Sequence, residues 1–306
     1  MPVKTVFIKR HSAHAGKWIY QGYQNAWKEK GYTAIFYDDL NELRNFEDKY
    51  YLMTLDGCKM DSERLKIIER AEKAFMFVQP NQFPRPWGSH PNFYSMATDE
   101  IIQDVNGIES VYLWTFFNVE ESKYYDKWKK VHTIPLAFDN IDYLPIKNEK
   151  YAQYDICFVG GWANNGFDEK RKIMLKYFSE FMKSNLKCGF FVNKGISQEQ
   201  ENLLLYNSKV SLNIHDAYQR ILGGDTNERT FKSLGLNGIL LSDEVNHLGS
   251  LFPFVKMSMS PADLVQMAKE YIMLPSIQLD EIKEKNRQYI LNNHCYIHRV
   301  EKMLTL

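Results

Sequence analysis

A glycine-rich run, Gly223-Gly-Asp-Thr-Asn-Glu-Arg-Thr-Phe-Lys, leads into residues with helical spacing and places Arg229 and Lys232 in the first turns of that helix. A guanidinium is planar, charged and forked, which matches the oxygens of a phosphate, and a helix N-terminus already attracts negative charge. Lys232, three residues on, lies on the same side and would double the positive charge. Upstream, Gly160 and Gly161 close an apolar strand and precede a helix whose first turns carry Lys170 and Arg171. Backbone N–H groups and basic side chains thus converge a second time where an anion can sit. Together the two segments suit a diphosphate. Each has a plainer alternative: a tight strand-to-helix turn for the glycine pair, and a solvated helix face for the two cations. Asp225 is expected to cap the second helix, with Glu228 three residues later closing a capping box.

Other chemistries lack their residues. No Gly-x-x-x-x-Gly-Lys-Ser/Thr, His-Glu-x-x-His or Gly-x-Ser-x-Gly occurs, so phosphate-loop, zinc-protease and hydrolase-elbow readings have no support. Gly160 to Gly166 does not match the dinucleotide fingerprint. No Asp-x-Asp is present to gather the oxygens a hard cation needs, so a metal-free site is expected. Cys58, Cys157, Cys188 and Cys295 are widely separated and form no Cys-x-x-Cys pair, which reads as reduced thiols rather than a zinc or redox motif.

The elements that position these residues follow from periodicity. Val3 to Ile8 reads as a strand, the small polar loop Arg10 to Gly16 follows, and Trp18 to Lys30 carries helical spacing that stops at Gly31. Further strands are expected at 33–37, 74–78 and 111–117, with a helix at 99–105. After 134–138, residues 139–154 read as a polar linker. The pattern then restarts with a strand at 155–162 and a helix at 170–183. Strands at 189–192, 210–214 and 238–241 come next, with helices at 198–206, 227–234, 261–273 and 279–292. Strands alternating with helices imply parallel sheets covered on both faces. The reading is therefore an α/β chain of two Rossmann-like domains, 1–150 and 151–306, with a last helix able to pack back on the first domain. Ligands in such sheets bind outside the carboxyl ends of the strands, so a cleft between the domains is the expected site.

The chain has 306 residues, enough for two domains, with 44% apolar and 25% charged residues, which excludes disordered and fibrous classes. Lys plus Arg equals Asp plus Glu at 38 each, which argues against gripping nucleic acid by bulk charge. A local stripe such as Lys123, Lys127, Lys129 and Lys130 is more often a solvated face. No uncharged run is long enough to span a bilayer and the N-terminus carries no signal peptide, so a cytoplasmic location is expected. The aromatic share of 14% suits large cores and clefts in which a ring stacks on a sugar or base.

The run Asn227-Glu-Arg-Thr-Phe-Lys-Ser-Leu-Gly-Leu-Asn-Gly-Ile-Leu-Leu-Ser-Asp243, with His294-Cys-Tyr-Ile-His-Arg299, resembles the C-terminal donor-binding domain of CgeB-like glycosyltransferases over residues 151–306. A looser resemblance extends to bacteriophage DNA-base glucosyltransferases. The resemblance implies the GT-B architecture, two Rossmann-like domains facing a central cleft, and a metal-independent hexosyl- or pentosyltransferase. Its donor would be a nucleotide sugar, a UDP-sugar by preference, serving as co-substrate with no other cofactor. The acceptor would be a hydroxyl of a glycan, a protein or a modified DNA base. By position, Gly160, Gly161 and Arg229 would hold the diphosphate, with Trp162, Arg171, Asn227 and Lys232 beside them, and His215 would line the nucleotide or sugar pocket. Where the family has a Glu that accepts from the ribose hydroxyls, this chain has Lys232, which can only donate. Asp243 or Glu244 would then supply the carboxylate. A non-catalytic nucleotide-sugar sensor is the rival that Lys232 raises. For an inverting transfer the candidate bases are His11, His14 and Asp99, with Asp39 and His90 behind them. Trp87, Phe83 and Trp114 are candidate acceptor platforms, although burial is the commoner fate of such a Trp114.

Overall fold

The computed structural model describes residues 3–11, 14–54, 60–78, 98–162 and 168–306. They divide into two compact units, Met1–Pro135 with Tyr296–Leu306, and Leu136–Cys295.

The first unit runs β1 (Thr5–Lys9), α1 (His14–Glu29), β2 (Thr33–Tyr37), β3 (Tyr50–Thr54), α2 (Ser62–Arg70), β4 (Lys73–Phe77), α3 (Asp99–Val105), β5 (Val111–Thr115) and β6 (Val131–Thr133). All pairings in its sheet are parallel, in the order β2-β1-β3-β4-β5-β6. A parallel strand covered on both faces must be apolar nearly throughout. The Val6, Phe7 and Ile8 centre of β1 and the Ala74 to Phe77 run of β4 are buried accordingly. Gly31, at φ +84°, takes the left-handed turn that ends α1.

The second unit restarts the pattern with β7 (Ile156–Gly160), α4 (Asp168–Lys183), β8 (Cys188–Val192), α5 (Gln198–Asn207) and β9 (Val210–Asn213). It continues through α6 (Ala217–Leu222), α7 (Glu228–Leu236), β10 (Leu240–Ser242), α8 (Asn246–Leu251), β11 (Lys256–Met257), α9 (Pro261–Ile272) and α10 (Ser276–Asn293). Its sheet is also parallel, in the order β11-β10-β9-β7-β8. Phe158, Met174, Phe181, Leu212, Leu241 and Leu264 form the centre of its core. Gly238, at φ +84°, closes α7, and a Cβ there would meet the Lys283 carbonyl oxygen at 2.2 Å, so only glycine fits.

The last helix, α11 (Tyr296–Thr305), belongs to the first unit and packs on α1. Tyr296 lies against Gly22, where a Cβ would meet its ring at 2.4 Å, and Arg299 Nε donates to the Pro135 carbonyl at 2.9 Å.

Residues 139–154 are more than a linker. Tyr143 is buried, the Phe138 N–H donates to the His294 carbonyl at 2.8 Å, and the Phe138 ring fills the space a side chain at Gly235 would take. Tyr143 anchors the stretch to the second unit, and hydrogen bonds from Gln198 to the Asp142 carbonyl and from Asn207 to the Ile146 carbonyl, both at 2.8 Å, hold the rest.

Candidate functional site

In the second unit the chain moves from β7 outward to β8 and then crosses to β9 on the other side, so the strand order reverses between β7 and β9. A reversal of this kind leaves a crevice outside the carboxyl ends of the two strands, because their following helices cover opposite faces. Gly160 ends β7, Asn213 ends β9, and Ser242 ends the neighbouring β10.

Arg229 spans that reversal. It is the second residue of α7, which starts at Glu228 behind an Asn227 cap whose side chain accepts from the Thr230 N–H at 3.2 Å. The expected cap, Asp225, lies two residues too early. It is buried before the helix begins, and Asn227 has the extended backbone that a cap requires. Arg229 Nε donates to the Val159 carbonyl at 2.7 Å and Nη1 to Asn213 Oδ1 at 2.9 Å. Its guanidinium also lies over the Phe158 ring, 4.5 Å from the centroid. Its other donors have no partner among the described residues. Burial lowers its pKa, and the carboxylates of Asp216 and Glu228 work against that.

The glycines allow this posture. A Cβ on Gly160 would stand 2.2 Å from Arg229 Nη2, and one on Gly161 2.3 Å from Asn193 Oδ1. Arg171 is exposed, with its guanidinium 5.7 Å from the centroid of the half-buried Trp162 ring. Lys170, by contrast, is buried and pairs with Asp216 at 2.6 Å. Burial lowers its pKa, with Asp216 opposing.

Lys232 faces away from this convergence of donors. Only 5% exposed, it sits 3.0 Å from Glu201 and 3.0 Å from Glu228, with the Tyr143 ring 4.9 Å away. Burial alone would depress the ammonium, but Glu228 and Glu201 overrule it and hold the pKa above the ordinary lysine value. The expected doubling of positive charge beside Arg229 is therefore cancelled by two carboxylates. Burial raises the Glu228 pKa, with Lys232 opposing.

His215 and Asp243 are both fully buried. His215 Nδ1 lies 2.7 Å from Asp243 Oδ1, the His215 backbone N–H donates to both carboxylate oxygens at 3.0 and 3.2 Å, and Arg220 Nε pairs with Oδ2 at 3.3 Å. Burial would raise the Asp243 pKa, but His215 and Arg220 hold it below the ordinary aspartate value. Asp243 was expected to offer itself to a ribose and His215 to line a pocket. Both are instead enclosed and engaged internally, while Glu244 is exposed. Asp225 is the contrasting carboxyl: buried, with Oδ1 unpartnered among the described residues, and pushed by burial up to about 7.

Four buried residues of this site, Asn213, Thr226, Thr230 and Ser242, carried no expectation. Asn213 and His215 alternate at the end of β9, so they share one face, and Thr226 and Thr230 stand four residues apart on either side of the start of α7. Polar residues at those spacings were the available signal.

In the first unit, His11 follows β1, beside the β1/β3 reversal of that sheet, with its ring stacked on Tyr20 at 6.2 Å. A Cβ on Gly16 would meet the His11 ring at 2.2 Å. His14 is the first residue of α1. Asp99 begins α3 and accepts from the Tyr124 hydroxyl at 2.9 Å and from the Lys127 ammonium. Asp39 caps a short 3₁₀ turn. Trp114 is not a platform: it is fully buried against Tyr23, Phe77 and Phe116. Trp87, Phe83 and His90 lie outside the described residues. Among the described residues no three His, Cys, Asp or Glu side chains are gathered as a metal would need, and no helix is long and apolar enough to cross a membrane.

Residues 162–305 match a family model described as glycosyl transferase-like. The matched stretch contains α4 through α11, with Arg229 inside it. Three solved glycosyltransferases share the fold of the whole chain, two α/β units with parallel sheets of the GT-B kind. They are T4 phage BGT in complex with its UDP-glucose substrate (TM-score 0.57, 13% identity, 98% of this chain and 97% of that one); AviGT4, involved in avilamycin A biosynthesis (0.55, 9%, 99% and 96%); and WaaG, involved in lipopolysaccharide biosynthesis (0.50, 9%, 97% and 98%). Sugar-transfer enzymes thus supply both the family model that part of the chain matches and the solved structures whose fold it shares. No curated protein sequence matches it.

Proposed function

We propose that the chain moves a sugar from a nucleoside-diphosphate sugar, a UDP-sugar by preference, to a hydroxyl acceptor without a metal. The observation that carries this reading is the guanidinium of Arg229, tied to Val159 and Asn213 across the β7/β9 reversal with donors to spare. In the transfer the bond between the sugar and the diphosphate breaks and negative charge gathers on the departing oxygen. A charged donor already fixed there, at the positive end of α7, stabilises that charge without having to reorganise. Arg171 and the Gly160-Gly161 turn complete the anion subsite, and Trp162 offers a ring beside it. Lys232 has no part in it, because its charge is balanced by Glu201 and Glu228.

The acceptor is a hydroxyl of a glycan, a protein or a modified DNA base. His11, beside the β1/β3 reversal, is our choice of general base over Asp99, whose carboxylate is already engaged by Tyr124 and Lys127. The finer resemblance to CgeB-like enzymes rests on the 227–243 run.

The test is nucleoside diphosphate release from a panel of nucleotide sugars, with thermal stabilisation by each in parallel. Turnover with one donor, reduced by about 10²-fold or more in kcat/KM by Arg229→Ala, is the expected result. Stabilisation without turnover across varied acceptors would make the chain a nucleotide-sugar sensor, and neither response would end the donor reading.

A further inference from the structure

We infer that Asn213 is a positioning residue for Arg229, and that its amide is oriented by a hydrogen-bond relay through Thr230, Thr226 and His215 to Asp243. The functional side of this inference rests on the reading above, in which Arg229 meets a diphosphate.

The direction of the links at Asn213 follows from what each group can donate. A guanidinium only donates, so the Asn213 atom 2.9 Å from Arg229 Nη1 must be the carbonyl Oδ1. Asn227 Nδ2 donates to the same oxygen at 3.2 Å. The Asn213 amide nitrogen is thereby turned inward, 3.0 Å from Thr230 Oγ1, to which it donates, and 3.3 Å from His215 Nε2. Thr230 then has one hydroxyl hydrogen to place. Thr226 Oγ1 at 2.6 Å takes it in preference to Asn227 Oδ1 at 3.4 Å. Thr226 Oγ1 lies 2.7 Å from His215 Nε2, which it reaches as donor when Nε2 is the ring nitrogen without hydrogen. Asp243 Oδ1, 2.7 Å from Nδ1 and unable to donate as a carboxylate, keeps a hydrogen on Nδ1 and so fixes the ring in place. The carboxylate is itself fixed by the His215 backbone N–H, by Arg220, and by the Ser242 hydroxyl at 3.3 Å.

Asn213, His215, Thr230 and Asp243 are fully buried and Thr226 nearly so, so water cannot replace a missing donor. Removing the Thr230 hydroxyl takes away the acceptor of the buried Asn213 NH₂, and disturbing the links behind it shifts that acceptor. Asn213 would then present its NH₂ to a guanidinium, two donors facing each other, and Arg229 would lose its hold beside the strand ends. The polar residues buried around His215 thus serve a side chain that none of them but Asn213 touches.

Thr226→Val and Thr230→Val each remove one hydroxyl at nearly constant volume and contact neither Arg229 nor any ligand position. The first readout is the ¹⁵N-labelled Arg229 Nε–H resonance, identified by its absence in Arg229→Lys. The second is the Kd for UDP by calorimetry. Both valine variants are expected to shift or broaden the resonance and to weaken UDP about tenfold, the loss of roughly one hydrogen bond's orientation. Thr226→Ser, which restores the hydroxyl, should return both readouts to those of the parent. If one valine variant does not fold, the other decides. A folded valine variant with the parent resonance and UDP affinity within twofold overturns the inference. If the parent itself does not bind UDP, the donor reading fails separately, and the resonance alone decides whether the relay positions Arg229.

Discussion

At the carboxyl ends of its central strands the second unit buries Asn213, His215 and Asp243 completely, whereas at the ends of β4 and β5 the first unit buries Phe77 and Trp114. Both edges are closed, but by different physics. An apolar edge is stabilised by area removed from water and tolerates some repacking. A polar edge is stable only when every group is partnered, and so it fixes one geometry. The first unit's edge therefore supports its fold, while the second unit's edge holds a charged side chain in one orientation.

The largest test of this contrast is at Lys232, on the polar side. Lys232→Met leaves Glu201 and Glu228 buried and facing each other, and should cost about 3–5 kcal/mol in urea unfolding. Adding Glu201→Gln and Glu228→Gln should recover most of the loss, and failure to recover would show that the triad is not what Lys232 serves. On the apolar side, Trp114→Ala should cost about 3–4 kcal/mol by the same measurement, with UDP affinity within twofold of the parent. A large change in affinity would break the distinction between the two edges.

Asp225 gives a smaller effect with a defined sign. Its folded pKa is raised to about 7 from 3.8, so the folded chain holds a proton that the unfolded chain releases between those values. The stability it contributes is fully present below about pH 4 and is lost as pH rises through 7, at up to about 1.4 kcal/mol per pH unit. Asp225→Asn should flatten that part of the stability profile and be most favourable near pH 8. An unchanged profile would remove Asp225 from the account. Last, Gly160→Ala places a methyl where Arg229 Nη2 now lies, and should weaken UDP about tenfold with little change in unfolding.

The parallel architecture was legible because buried parallel strands are continuous apolar runs, as in Ile156 to Val159 and Val210 to Leu212. Missed elements have physical reasons. The β3 run Tyr-Tyr-Leu-Met-Thr follows a charged stretch without alternation, and α2 buries only Ile67 and Ile68 of its nine residues. At the site, the meeting of Arg229 with the glycine turn was legible because its helix start and that turn are both local features. The fate of Lys232 was not, since Glu201 lies on α5, 31 residues away, and no local spacing announces that pair. The cap was misread because Asp225 and Asn227 are both capping types two residues apart. Only the structure shows which one has its backbone at the helix start.

The return of α11 to the first unit bears on how the protein is made. During synthesis residues 1–135 leave the ribosome without the segment that fills the groove beside Gly22, and they wait for residues 136–295 before receiving it. The six strands of the first unit's sheet all lie within residues 5–133 and can pair before that, so what stays open until α11 arrives is the face of α1.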